Sequence, residues 1–319
     1  MQRQPIRIFL RRAIAFASIQ IALVAIVFLA LASTDRLPAP RLAGNESFDA
    51  KLIFLRAHPD RLAARTLLAG SSLTLNDLVG TELERELPDV APVLNVGTWD
   101  ERIRETRGRV HELERWTQPR TIIVVTAPPV FTAGDAPRPF PDAARVTEVL
   151  RGRSLLTAYL RAPGPRHYLR EALVGGVRNS GDPFLSVDFD RTGSVMLRTP
   201  YPPVNLERWN GQPASLHLDP AEYAALAEFA DELAREGRQL ICIEAPIRAD
   251  RAKELRDFLM AHRQRLEEVR AAHPFSYLPI PEEVSFEVDE FADWLHLNER
   301  GARRFTQAIA DELRSHVTP

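Results

Sequence analysis

Thr121-Ile-Ile-Val-Val-Thr126 is a run of β-branched residues with no polar alternation. Such side chains suit a pleated strand, and a strand with no polar side must be covered on both faces. Strands of that kind belong to parallel sheets, whose neighbours are joined by crossovers, so helical periodicity should flank the run. Upstream, residues 66–69 and Pro92-Val-Leu-Asn-Val96 read as short strands ending near Gly70 and Gly97. Between them Leu75, Leu78, Val79, Leu83 and Leu87 recur at helical spacing over residues 76–86, and Pro88 stops that helix. A charged helix over residues 100–116 leads into the 121–126 strand.

The alternation resumes beyond residue 215. Asp219-Pro-Ala-Glu222 opens a helix carrying Tyr223, Leu226, Phe229 and Leu233, with Gly237 as its stop. Strands over 239–244 and 275–280 enclose a long polar helix over 249–272. The chain closes with an amphipathic helix over 298–316 that places Ala302, Phe305, Ile309 and Leu313 on one face. The pattern predicts a three-layer α/β/α sandwich around a central parallel sheet. At 319 residues and 45% hydrophobic, the chain can fill such a core. From about 127 to 215 the pattern breaks at Pro128, Pro129, Pro137, Pro139, Pro141, Pro163 and Pro165, which predicts an insertion. Within it, a helix over 142–160 and a hairpin over 185–197 turning at Gly193 are expected. Insertions at the carboxyl edge of a sheet usually cover the site.

Residues 13–33 carry no charge and are long enough to cross a bilayer, and Arg3, Arg7, Arg11 and Arg12 precede them. Those arginines hold residues 1–12 in the cytoplasm and send the rest to the periplasm, with the inner membrane as the anchor's partner. The rival reading is a signal peptide cut after Ala30-Leu-Ala32, giving a secreted protein, although the run exceeds the ~7–15 residues of a usual signal core. A Pro/Ala spacer over 34–47, suited to holding a domain off the membrane, then leads into an α/β domain over 48–319, its first helix capped by Asn45 or Ser47. The single cysteine, Cys242, sits in an apolar run, so the fold stands without an internal disulfide. A net charge of −2 offers no electrostatic case for nucleic acid. The histidines are scattered without metal-ligand spacing and no glycine loop cradles a phosphate, so no metal or cofactor is expected. Arg166, His167 and Arg170 line either a polyanion groove or a solvated helical face.

The chemistry concentrates at two places. In Arg65-Thr-Leu-Leu-Ala-Gly-Ser-Ser-Leu-Thr74 a strand runs into a small-residue turn and a helix, which lifts Ser72 to the carboxyl edge of the sheet. A serine hydroxyl is a poor nucleophile unless a base takes its proton, and a histidine oriented by a carboxylate does this best. Asp293-Trp-Leu-His296-Leu-Asn298, before the last helix, supplies both at a spacing that lets Asp293 hold one imidazole nitrogen while the other faces Ser72. Singly, each has a plainer use: Ser72 as a turn residue, Asp293 as a helix cap, His296 as a surface histidine.

An early Gly-Ser-Ser-Leu and a late Asp-x-x-His-Leu-Asn-x-x-Gly resemble the SGNH (GDSL-like) hydrolases, over roughly residues 45–125 and 238–316. The resemblance implies a flavodoxin-like α/β/α fold with Ser72, Asp293 and His296 catalytic. An oxyanion hole then comes from the backbone N–H of Ser72 and of Gly97, since Asn95-Val-Gly97 is similar to the family's second block; otherwise Gly97 simply turns the chain. The chain departs from the pattern in two respects: Ser71 replaces the acid of Gly-Asp-Ser, and the family asparagine is missing where strand three ends Thr126-Ala-Pro-Pro129. Thr126 is a candidate substitute. Asn95, Thr98, Trp99 and Trp294 are further candidate substrate contacts, the tryptophans either stacking on a sugar or packing in the core. With the anchor and the lead-in Lys51-Leu-Ile-Phe-Leu-Arg-Ala-His-Pro59, these departures resemble the membrane-anchored branch that includes the D-alanyl transfer protein of teichoic acid synthesis and the alginate O-acetylation proteins. That resemblance implies an acyl-serine esterase or O-acyltransferase acting on a cell-envelope polysaccharide or glycolipid, beside a membrane-bound O-acyltransferase. Its alternative is a non-catalytic accessory that binds the polymer or the acyltransferase.

Overall fold

Five strands, β1 (Thr66–Leu68), β2 (Val93–Asn95), β3 (Thr121–Thr126), β4 (Gln239–Glu244) and β5 (Ser276–Leu278), form one parallel sheet in the order β2-β1-β3-β4-β5. Every residue of β3 is buried, as its unalternating sequence requires. In this computed structural model, residues 3–33, 37–133, 143–152, 155–161, 164–174, 182–199, 201, 206–211, 217–281 and 283–317 are described. The chain passes from β1 outward to β2, then back across β1 to β3. The carboxyl ends of β1 and β3 are therefore the point where strand order reverses, the place where open α/β sheets put their ligands.

The helices are α1 (Arg3–Ser33), α2 (Glu46–Ala57), α3 (Ser72–Asp77), α4 (Gly80–Glu86), α5 (Ile103–Leu113), α6 (Ala143–Arg151), α7 (Leu156–Leu160), α8 (Pro165–Val174), α9 (Leu206–Trp209), α10 (Pro220–Arg235), α11 (Ala249–Glu254), α12 (Arg256–Ala272) and α13 (Glu299–His316). Helices α3, α4 and α13 pack together, and α10 packs against α5 and α12, giving the two helical layers of the α/β class. The caps follow from sequence: Asn45 accepts from the N–H groups of Ser47 and Phe48, Asp219 from that of Ala221, and Asn298 from those of Arg300 and Gly301.

Several expected elements come out differently. The single helix over 76–86 divides into α3 and α4, because the Val79 N–H donates to Thr306 Oγ1 of α13 and the Gly80 N–H to Ser194 Oγ. The helix over 249–272 breaks at Leu255, where Arg251 of α11 turns inward and donates to the Asn210 carbonyl. Of the expected 142–160 helix, α6 ends at Arg151 and α7 begins at Leu156; residues 142, 153 and 154 lie outside the described residues. Residues 185–197 form no ladder. Asp190 Oδ1 instead gathers the N–H groups of Thr192 and Ser194 into a tight turn, with Gly193 at φ +92°. That turn packs on the end of β2, where Thr192 O accepts the Asn95 N–H.

The expected spacer is also packed, as far as it is described. Leu37 is buried, the Arg41 N–H donates to Tyr168 Oη, and the N–H groups of Leu42 and Ala43 donate to the Asp49 carboxylate. In contrast, the apolar stretch Ile6–Ala32 of α1 is exposed along nearly all its length, and is long and apolar enough to cross a membrane. Its Phe28 alone is fully covered among the side chains described there, against Tyr159 of α7.

Candidate active site

The site starts from backbone geometry at the end of β1. Gly70 adopts φ +136°, and a Cβ there would lie 2.6 Å from Thr74 Oγ1, so the turn requires glycine. The Thr74 hydroxyl donates to Ala69 O and accepts the Val125 N–H, tying the start of α3 to both β1 and β3. Ser71 caps α3 by accepting the Leu73 N–H, so its hydroxyl is committed to the backbone. Ser72, the next residue, is half-buried and its hydroxyl meets a side chain instead.

Ser72 Oγ lies 2.8 Å from His296 Nε2, and His296 Nδ1 lies 2.9 Å from Asp293 Oδ2. With Nδ1–H donating to the carboxylate, Nε2 is left to accept the serine proton. Asp293 Oδ1 accepts the N–H groups of Leu295 and His296, which fixes the carboxylate within a tight loop closed by the Phe291–Leu297 bridge. Burial alone would push the Asp293 pKa up, but the neighbouring imidazole and those hydrogen bonds outweigh it and hold the pKa below the usual value. Burial alone would lower the His296 pKa, and here the charge and hydrogen bond of Asp293 carry it above the usual value. Gly301, the glycine after this block, lets α13 approach the loop, since a Cβ would sit 2.3 Å from Glu290 O.

The other expected site residues are placed differently. The Gly97 N–H, expected to face an oxyanion, donates to Asn95 Oδ1, and a Cβ on Gly97 would meet the Leu75 amide nitrogen at 2.8 Å; the glycine serves close packing against α3. Asn95 is wholly buried and its amide donates to Thr74 O and Ser194 Oγ, a structural clamp rather than a substrate contact. Thr126 is buried and its hydroxyl donates to Ile243 O, so that donor is spent inside the sheet. Thr98 is buried with its N–H on Gly70 O, and Trp294 packs in the main core. The Trp99 N–H donates to Ser47 Oγ, and its carbonyl accepts from the Asn45 side chain, tying this loop to the start of α2.

Several residues around the site escaped the sequence reading. The Phe184 ring stands edge-on to the His296 ring at 5.9 Å, and the Arg208 guanidinium lies 4.1 Å over Phe184. Both come from the insertion, which thus reaches the site. Arg248, buried after β4, stacks on Trp209 at 4.1 Å and donates to its carbonyl, fixing the α9 turn that carries Arg208. No local pattern marks these residues, because only the fold brings the insertion over the sheet edge. Asp77 did carry a signal: it is an acid between Leu75, Leu78 and Val79, in a segment whose helical spacing marks it as core-facing.

Asp77 is wholly buried; its Oδ1 accepts the Leu297 N–H at 3.0 Å, and its Oδ2 has no hydrogen-bond partner among the described residues. Burial raises its pKa from 3.8 to about 8, against the lowering pull of His296. The folded state therefore keeps a proton that the unfolded chain loses, and this contribution to stability falls as pH rises between about 4 and 8. Asp77→Asn keeps the acceptor for Leu297 and removes the titration. Its stability relative to wild type should rise by at least ~1 kcal/mol between pH 5 and pH 8, since each tenfold difference in proton affinity between folded and unfolded chain is worth ~1.4 kcal/mol before relaxation. Urea unfolding at the two pH values measures this, and an unchanged difference would count against a protonated Asp77.

No family model matches the chain, and no curated protein matches it. Among solved structures it is similar to a Clostridium thermocellum family 3 carbohydrate esterase, with 12% identity and a TM-score of 0.38 over 80% of this chain and 100% of that one.

Proposed function

We propose that the protein is a membrane-anchored serine esterase or O-acyltransferase that acts on a cell-envelope carbohydrate through an acyl-Ser72 intermediate. The observation that carries this reading is the continuous relay from Ser72 Oγ through His296 to buried Asp293 at the strand-order reversal. Ser72 Oγ attacks the ester carbonyl as its proton passes to His296 Nε2. The imidazolium, steadied by Asp293, returns that proton to the departing alkoxide as the carbonyl–oxygen bond breaks. A sugar hydroxyl or water then gives its proton to Nε2 as it attacks the acyl-serine carbonyl, and the imidazolium passes that proton to Ser72 Oγ as the acyl–oxygen bond breaks and the serine is released. The backbone N–H of Ser72, at the open first turn of α3, is the available donor toward the developing oxyanion.

The anchor reading rests on α1. An exposed apolar helix of this length is stable in a bilayer rather than in water. Cleavage after Ala32 would strip Phe28 from Tyr159, which favours the helix staying attached. The basic residues before it orient the remainder outward.

A second reading also has support: the protein is an accessory that holds a polymer or an acyltransferase without turning over ester. It is favoured by the commitment of the Gly97 N–H and the Thr126 hydroxyl to internal partners, which leaves the oxyanion hole short of a donor. Turnover of p-nitrophenyl acetate, together with fluorophosphonate labelling located by peptide mass spectrometry, separates the two. The enzyme reading expects label on Ser72 and a kcat/KM that rises with pH through a midpoint above 6.5, because the base must be neutral and its pKa is raised. Neither turnover nor label leaves the accessory.

A further inference from the structure

We infer that the insertion forms a second membrane contact, a foot of α7 and α8 seated in the outer leaflet beside α1, with lipid acyl chains filling the groove between them. This rests on reading α1 as a membrane span. The groove, about 500 Å³, runs between Ile21, Val24 and Phe28 of α1 and Leu156, Leu160 and Pro165 of the insertion. Counting outward from Arg12 at 1.5 Å per residue, a ~30 Å hydrocarbon layer ends near residue 32. The α1 side of the groove, residues 21–28, then lies roughly 6 to 17 Å below that boundary. Whatever packs against it shares that depth, and Leu160 faces outward there 58% exposed.

The surrounding chemistry grades as an interface does. At the outer end of the groove, Phe28 meets Tyr159 edge-on at 6.0 Å and Tyr159 meets Tyr168 at 5.0 Å, aromatic rings toward the level where such residues collect. The Tyr159 hydroxyl donates to Pro38 O and that of Tyr168 accepts the Arg41 N–H, so the segment after α1 is stapled to the foot instead of spacing it away. On α8, Tyr168 and Leu169 pack inward while Arg166 and Arg170, one turn apart, are exposed. A short helix with apolar and arginine faces suits the boundary between acyl chains and anionic headgroups. Because Phe184 and Arg208 of the same insertion reach His296, the foot also sets the height of the site above the bilayer.

The test uses the full chain in phosphatidylethanolamine/phosphatidylglycerol vesicles, with a nitroxide label at Leu160→Cys and comparison labels at Ile14→Cys in α1 and Met260→Cys in α12. The wild-type Cys242 is wholly buried and serves as the unlabelled background. Collision with oxygen marks lipid and collision with a nickel chelate marks water. The label at 160 should resemble that at 14, with oxygen favoured several-fold, and the label at 260 should show the opposite. A water-like 160 beside a lipid-like 14 overturns the foot while leaving the anchor standing. A water-like 14 overturns the anchor reading and the foot with it.

Discussion

Ser72→Ala and His296→Ala should each cut kcat/KM for an acetyl ester by ~10⁴-fold or more, and the double variant should be scarcely worse than either one. The reason is geometric: the 2.8 Å contact makes Oγ and Nε2 one proton-transfer unit, so either removal breaks the same step. Asp293→Asn should lose less than His296→Ala, since the imidazole stays in place. It should still be impaired, because Asp293 Oδ1 already accepts two backbone N–H groups. An amide held the same way turns its NH₂ toward Nδ1 and favours the wrong tautomer. Ser71→Ala removes only the cap on the Leu73 N–H, at about 1 kcal/mol of stability, and should change kcat/KM by less than ~10-fold. Wild-type rates in Ser72→Ala, or an acyl group recovered on Ser71, would end the assignment.

Lys51→Met should destabilise the fold by about 2–5 kcal/mol, a large effect for a residue far from the chemistry. Lys51 is wholly buried; its Nζ lies 4.1 Å over the Phe189 ring and donates to Asn95 O, at 2.9 Å, and to Gly193 O. Methionine fills similar space but leaves two buried carbonyls without a donor. Burial pushes the lysine pKa well down against the pull of Asp190, so the unfolded chain binds a proton the folded one does not. Stability from this group therefore rises with pH through the window between the two pKa values. Lys51→Met should also lose that rise, and urea unfolding across pH shows both effects. A variant within ~0.5 kcal/mol of wild type would mean that the two carbonyls find other partners.

The site couples to that lysine through one residue. Asn95 takes Lys51 on its carbonyl, while its side chain holds Gly97 and the carbonyl of Thr74, two residues after Ser72.

What the sequence determined alone was what local chemistry dictates. The β-branched run of β3, the Asn298 and Asp219 caps, the proline and glycine stops, and the motifs around Ser72 and His296 depend on near neighbours along the chain, and strand and helix periods express them directly. Three matters were left to the tertiary structure. Sheet order put the end of β1 at the reversal, because the choice of edge for each crossover is a matter of packing. The fate of polar groups reversed the expectations for Gly97, Thr126 and Asn95, because whether an N–H or hydroxyl is free depends on acceptors brought from other strands and turns. The burial of Asp77 and Lys51, and the descent of the insertion onto both His296 and α1, are long-range meetings: desolvation and contact arise only once residues distant in sequence have closed around one another.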